Sequence, residues 1–279
     1  MNKSLNLLFT CLSLSFCALV PPITVHAQVS LYAATPTAKE WLAQGEAFLD
    51  KGDLPKALEA YDQAIALDPN FAEAYSSRCF VKYVMGDLPA AIADCDQVLR
   101  LNPKDASGYA KRGIIYSESG NFPQALKDFD QAILLDPQEA SLYYNRGIVY
   151  RRAGNNEKAL LDYNQTLKLD PTHFNAYNNR GNIRRQSGDA EGSLQDYDKA
   201  IEINPTYAEA YLNRGLAFLE LKNNTAGLAD LDKAAELLEK QGRKEDAQQV
   251  RQVKDALEEH FKSDPEKPTV PQGAPGDSR

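Results

Sequence analysis

The chain has 279 residues, 43% of them apolar and 25% charged, and a formal net charge of −8. This is the balance of a globular protein, and its length suits one or two ordinary domains or one long repeat array. The acidic excess excludes a non-specific nucleic-acid binder, which needs a basic face.

Residues 1–27 read as a secretory leader. Lys3 is the positive start, Leu5 to Val20 is apolar, and Val25-His26-Ala27 before Gln28 forms a small-x-small cleavage site. The apolar run is shorter than the ~20 residues a membrane helix needs, and Pro21-Pro22 follow it. Export to a periplasmic or secreted location is therefore expected, with no membrane span left after cleavage. Residues 28–37 have no period and form a linker.

From residue 38 the chain repeats. Pro69, Pro103, Pro137, Pro171 and Pro205 stand 34 apart, as do Gly52, Gly86, Gly120, Gly154 and Gly188. A fixed period of this size means stacked supersecondary units. Six follow: 38–71, 72–105, 106–139, 140–173, 174–207 and 208–241. Numbering each from 1 to 34, position 4 is Trp41 and then Tyr75, Tyr109, Tyr143, Tyr177 and Tyr211. Position 8 is small (Gly45, Cys79, Gly113, Gly147, Gly181, Gly215), and so is position 20 (Ala57, Ala91, Ala125, Ala159, Ser193, Gly227). Position 24 is Tyr61, Cys95, Phe129, Tyr163, Tyr197 and Leu231. Residues four apart share a helix face, so each unit predicts two helices that meet closely through the small positions.

The predicted ends agree. Gly at position 15 supplies a left-handed helix terminus, and Asp or Asn at 16 caps the next helix. Pro55, Pro89 and Pro123 lie in a first helical turn, and Pro at 32 stops the second helix. The sixth unit decays, with Lys222 for the turn Gly and Glu239 for the Pro. Residues 242–262 predict a capping helix with Ala247, Val250, Val253, Leu257 and Phe261 on one face. The Pro-rich segment 263–279 is expected to be disordered.

These positions carry a resemblance. Trp41, Gly45, Phe48, Ala57, Tyr61, Ala64 and Pro69 fall where the tetratricopeptide repeat pattern has aromatic, Gly, aromatic, Ala, aromatic, Ala and Pro. Departures are Cys79 for Gly, Arg184 for an aromatic and Thr166 for Ala. The resemblance implies an all-α, right-handed α-solenoid superhelix of six helix-turn-helix repeats plus the C-terminal capping helix. It also implies a concave groove lined by the first helix of each pair, chiefly by positions 2, 5, 6, 9, 12 and 13, that holds a peptide or partner protein.

Two residue sets recur or vary informatively. Position 7 is Arg78, Arg112, Arg146, Arg180 and Arg214, and position 23 in the same units is Asp94, Asp128, Asp162, Asp196 and Asp230. Unit one has Gln44 and Ala60 there. Arg and Asp occur together or not at all, which predicts an ion pair across each of five helix pairs. Among the groove positions, Lys111, Asn145, Asn178, Asn179, Asn182 and Asn213, with Arg151, Arg152 and Arg185, predict a polar to basic zone for a peptide. Asn can hold both sides of a peptide group, and the arginines favour an acidic or carboxylate end. The basic-amidic clamp of chaperone-tail binders is not reproduced: Leu42 and Glu46 stand where it has Lys and Asn.

Cys79 and Cys95 sit on facing helices of unit two, so a disulfide is possible; buried thiols are the alternative. No catalytic, metal or cofactor site is expected, with only His26, His173 and His260 as histidines. The expected function is a non-enzymatic, monomeric scaffold for a protein or peptide, without nucleic acid. The alternative is a self-associating protein using Leu31 and Tyr32, or a regulatory subunit of an exported complex.

Overall fold

The computed structural model describes residues 35–263. The expected leader 1–27, the linker up to residue 34 and the tail after residue 263 lie outside the described residues. Among these, thirteen α-helices and no strand are present. Units one to three hold α1 (Ala38–Asp50), α2 (Leu54–Leu67), α3 (Ala72–Val84), α4 (Leu88–Leu101), α5 (Ala106–Glu118) and α6 (Phe122–Leu135). Units four to six hold α7 (Ala140–Arg152), α8 (Asn156–Leu169), α9 (Phe174–Gln186), α10 (Ala190–Ile203), α11 (Ala208–Glu220) and α12 (Asn224–Lys240). The chain finishes with α13 (Lys244–Ser263). Each helix packs on its neighbour in the chain, and odd-numbered helices also touch, as α1 and α3, α5 and α7, and α9 and α11 do. The result is a solenoid.

The turns repeat in atomic detail. In unit one the Gly52 N–H donates to the Leu49 carbonyl and the Asp53 N–H to the Phe48 carbonyl. Gly52 takes φ 73° to do so, and this pair of bonds satisfies carbonyls that the helix end leaves open. The Asp53 carboxylate then accepts from the Lys56 N–H at 3.3 Å and starts α2. Position 16 caps the second helix of every unit in this way.

The expected decay of unit six is only partial. Lys222 adopts φ 61°, the one positive φ at a non-glycine among the described residues, and keeps both turn bonds, to Leu219 and from Asn223 to Phe218. The replacement of Pro by Glu239 has a larger effect. With no proline to stop it, α12 runs for 17 residues against 14 in α10. Gly242, at φ 80°, ends it, so the capping helix starts at Lys244 and not at 242. Its face is as expected: Ala247, Val250 and Leu257 are buried against Leu231, Ala234 and Leu238, with Val253 and Phe261 partly buried. No helix among the described residues is long and apolar enough to cross a membrane.

Candidate functional site: a fastened frame and a variable inner wall

The five expected ion pairs are present. Arg146 donates from Nε and Nη2 to the two Asp162 oxygens at 2.9 and 2.7 Å. Arg78–Asp94, Arg112–Asp128, Arg180–Asp196 and Arg214–Asp230 have the same forked geometry. Each guanidinium also lies over the tyrosine at position 4 of its own unit, 5.4–5.7 Å from the ring centre. Burial raises the Asp162 carboxyl above its ordinary value, and the Arg146 hydrogen bonds oppose that rise.

The remaining Nη1 reaches the preceding unit, a contact absent from the expectation. Arg146 donates to Asp130 at 2.7 Å, Arg78 to Asp62, Arg112 to Asp96 and Arg214 to Asp198. Asn164 replaces the acid for Arg180. These acceptors are position 25, so one arginine ties its own helix pair together and ties the pair to the unit before. The capping helix takes part: Lys254 Nζ lies 2.8 Å from Asp232, position 25 of unit six. Unit one has no predecessor to grip and carries exposed Gln44 instead. Where the family aromatic at position 11 is lost, a cation replaces it. Lys82 and Arg184 reach Asp94 and Asp196 at 2.8 and 3.0 Å.

Units four and two close their two helices in different ways. In unit four a Cβ on Gly147 would stand 2.7 Å from Cε1 of Tyr163, so glycine is required for the ring to lie there. In unit two Cys79 and Cys95 occupy those two positions and are joined as a disulfide, with Cα atoms 6.0 Å apart and both residues buried.

The inner wall is formed by the odd-numbered helices, whose positions 5, 6, 12 and 13 bond to each other across units. Lys111 reaches Ser76 at 2.5 Å, and Asn179 donates to the Tyr144 hydroxyl at 3.2 Å. Arg152 pairs with Glu118 at 2.7 Å and Arg185 with Glu220. Toward the C-terminal end lies a hollow of about 620 Å3, lined among others by Arg151, Asn178, Asn179, Tyr207, Asn213 and Val250. Burial raises the phenols of Tyr144, Tyr163 and Tyr207 above their usual range, so they remain protonated at neutral pH.

Several expected peptide contacts need correction. Asn213 donates to Asn178 at 2.9 Å, Asn178 donates to the Tyr207 hydroxyl at 3.3 Å, and both asparagines are buried. Asn182 accepts from Tyr197 at 2.8 Å. These three amides serve the frame, because the neighbouring odd-numbered helix or the tyrosine behind already supplies their partners. Arg152 and Arg185 are likewise neutralised by glutamates. Two groove residues differ, both on α7. The Asn145 side chain makes no hydrogen bond among the described residues. Arg151 lies beside the Tyr163 hydroxyl but has no carboxylate partner among them, and its buried Nε has no acceptor.

A stack of near-identical helix pairs with a fixed fastening and a variable concave face defines a helical-repeat solenoid. One family model described as TPR repeat matches residues 45–86 and 181–222, and three described as Tetratricopeptide repeat match 86–142, 140–173 and 162–195. Together they run from residue 45 to 222, more than half of the 279 residues, and the chain belongs to the tetratricopeptide repeat family. No curated protein matches the chain.

Among solved structures, MamA is similar at 25% identity and a TM-score of 0.54, over 59% of this chain and 96% of that one. YrrB, described as a TPR protein with an unusual peptide-binding site, has 23% identity and a TM-score of 0.52, over 64% and 93%. A tetratricopeptide repeat protein from Parabacteroides merdae ATCC 43184 has 20% identity and a TM-score of 0.61, over 81% and 96%.

Proposed function

We propose that this protein is an exported, non-catalytic scaffold that holds a protein or peptide segment in its concave groove. The observation that carries this reading is the state of α7. On an inner wall where most polar side chains are engaged, Asn145 has no side-chain hydrogen bond and Arg151 has no carboxylate partner among the described residues. An amide supplies a donor and an acceptor to an extended backbone, and a desolvated guanidinium favours a carboxylate. The groove is rigid because every unit is fastened to the next, so little ordering entropy is lost on binding. Export rests on the leader pattern of residues 1–27, and a buried Cys79–Cys95 bond is at home in an oxidising compartment.

The test is affinity purification of the mature form from its native host, alongside a variant with alanine at Asn145, Arg151 and Asn179. A co-purifying protein lost in the variant is the expected result. A partner retained at unchanged affinity by the variant removes the groove from the account. Recovery of the full, uncleaved chain in the cytoplasmic fraction removes export.

A further inference from the structure

We infer that the groove takes an extended peptide carrying an apolar side chain and a carboxylate about five or six residues apart, the apolar group on unit two and the carboxylate on Arg151 of unit four. This deepens the groove reading and rests on it.

The first anchor is a patch that the repeat pattern does not require. Phe80 is 47% exposed, Val84 50% and Met85 49%. Phe80 and Val84 are one helical turn apart at positions 9 and 13 of α3, so they share the inner face. Phe80 is not part of the core formed by Cys79, Ala91, Cys95 and Ile115. The other exposed large apolar residues stand singly: Leu67, Leu134 and Leu161 on the second helices α2, α6 and α8, and Leu221 just past the end of α11, and isolated apolar residues at the surface are ordinary. A paired apolar patch on a groove floor is the kind of surface that a partner covers. Position 9 stays apolar in the next two units, where Ile114 and Ile148 are partly buried, so an apolar track leads from unit two to unit four.

The second anchor is the guanidinium of Arg151. The other groove arginines already hold glutamates, as Arg152–Glu118 and Arg185–Glu220 show. A carboxylate arriving at Arg151 has no other carboxylate to displace, since the guanidinium has only the Tyr163 hydroxyl beside it. The ends also differ in sign. Unit one places exposed Glu46 and Asp50 at positions 9 and 13, beside the apolar patch, and these repel an acid from that end. Charge complementarity therefore orients the occupant: its acid lies at unit four and its apolar group at unit two. The spacing follows from the stack. Two steps between packed helices, at about 8–10 Å each, span roughly 16–20 Å, or about five or six residues of extended chain at ~3.3 Å per residue.

Fluorescence anisotropy with labelled, end-blocked ten-residue Ser/Gly peptides tests this. One set carries Phe and Asp five or six residues apart, in both orders. Controls place them two apart, replace Phe by Ser, or replace Asp by Asn. The correctly spaced peptide, in at least one order, is expected to bind at least tenfold tighter than every control. Phe80→Ser should abolish the preference for Phe and keep the preference for Asp over Asn. Arg151→Gln should do the reverse, with helical circular dichroism confirming that both variants fold. Equal binding by all peptides, no binding by any, or preferences untouched by both variants overturns the proposal. A native partner lost with the triple alanine variant but kept by Phe80→Ser and Arg151→Gln leaves the groove reading standing and this inference refuted.

Discussion

Units two and four have helices of the same lengths and the same Arg–Asp fork, yet they are closed differently and present different inner walls. Unit four lays Tyr163 over Gly147; unit two joins Cys79 to Cys95. Unit four offers Asn145 and Arg151 to the groove, and unit two offers Phe80 and Val84. The comparison teaches that interior closure in this array is interchangeable, because either a packed ring or a covalent bond holds two helices at one distance. The fork is common to both units, and their inner walls are free to differ where Phe80, Val84 and Asn145 make no part of it.

The strongest way to break this comparison is to remove the common part. Asp162→Ala should cost about 3 kcal/mol, because it removes the nearly buried carboxylate that two nitrogens of Arg146 grip and leaves the guanidinium only the exposed Asp130, and Asp94→Ala should cost a similar amount in unit two. Urea unfolding followed by circular dichroism measures both. A fully additive double-mutant cycle between Asp162→Ala and Arg146→Ala would refute the coupling. Next comes the closure of unit two. A Cys79→Ala, Cys95→Ala variant should lose about 3 kcal/mol, given a sequence separation of 16 between the bonded residues. Hydrogen exchange should then rise in α3 and α4 first, since repeat stability is largely local. Unchanged exchange there would mean that the bond contributes little to the native state. The smallest effect is expected at unit four: Gly147→Ala should cost about 1–2 kcal/mol net, the crowding of Tyr163 being partly offset by better helix propensity. A stabilised variant in thermal unfolding would show that the ring has room to move.

The frame was legible because the chain repeats it. The five Arg–Asp pairs follow from residues that appear together and are absent together, and the turn within each unit and the cap of its second helix follow from positions 15 and 16. Position 25 carried the same kind of signal. Asp62, Asp96, Asp130 and Asp198 each precede an arginine by 16 residues, the separation at which Asp162 follows Arg146. Comparing each unit with its successor, and not only with itself, would have found it.

The inner wall was legible only in direction. Spacing along a helix places Asn178 and Asn213 on the groove side, but it does not say that a residue 35 positions later arrives at hydrogen-bond distance. Nor does it say that Glu118 and Glu220 are in reach of Arg152 and Arg185. Which polar groups are spent on neighbours and which remain for a ligand is a tertiary fact. The exposure of Phe80 is not legible from spacing either, because aromatic residues at helical spacing are usually core.

The contact from Lys254 to Asp232 has a consequence for how such a chain can change. The second helix of every unit but the fourth carries an outstretched carboxylate at position 25, and the final described helix meets the last of these with a lysine in place of the arginine that another module would bring. A duplicated 34-residue segment spliced in ahead of that helix would find both of its joints already cut to fit. Length in this lineage is thus open to simple copying, with each added copy lengthening the recognition surface without disturbing the rest.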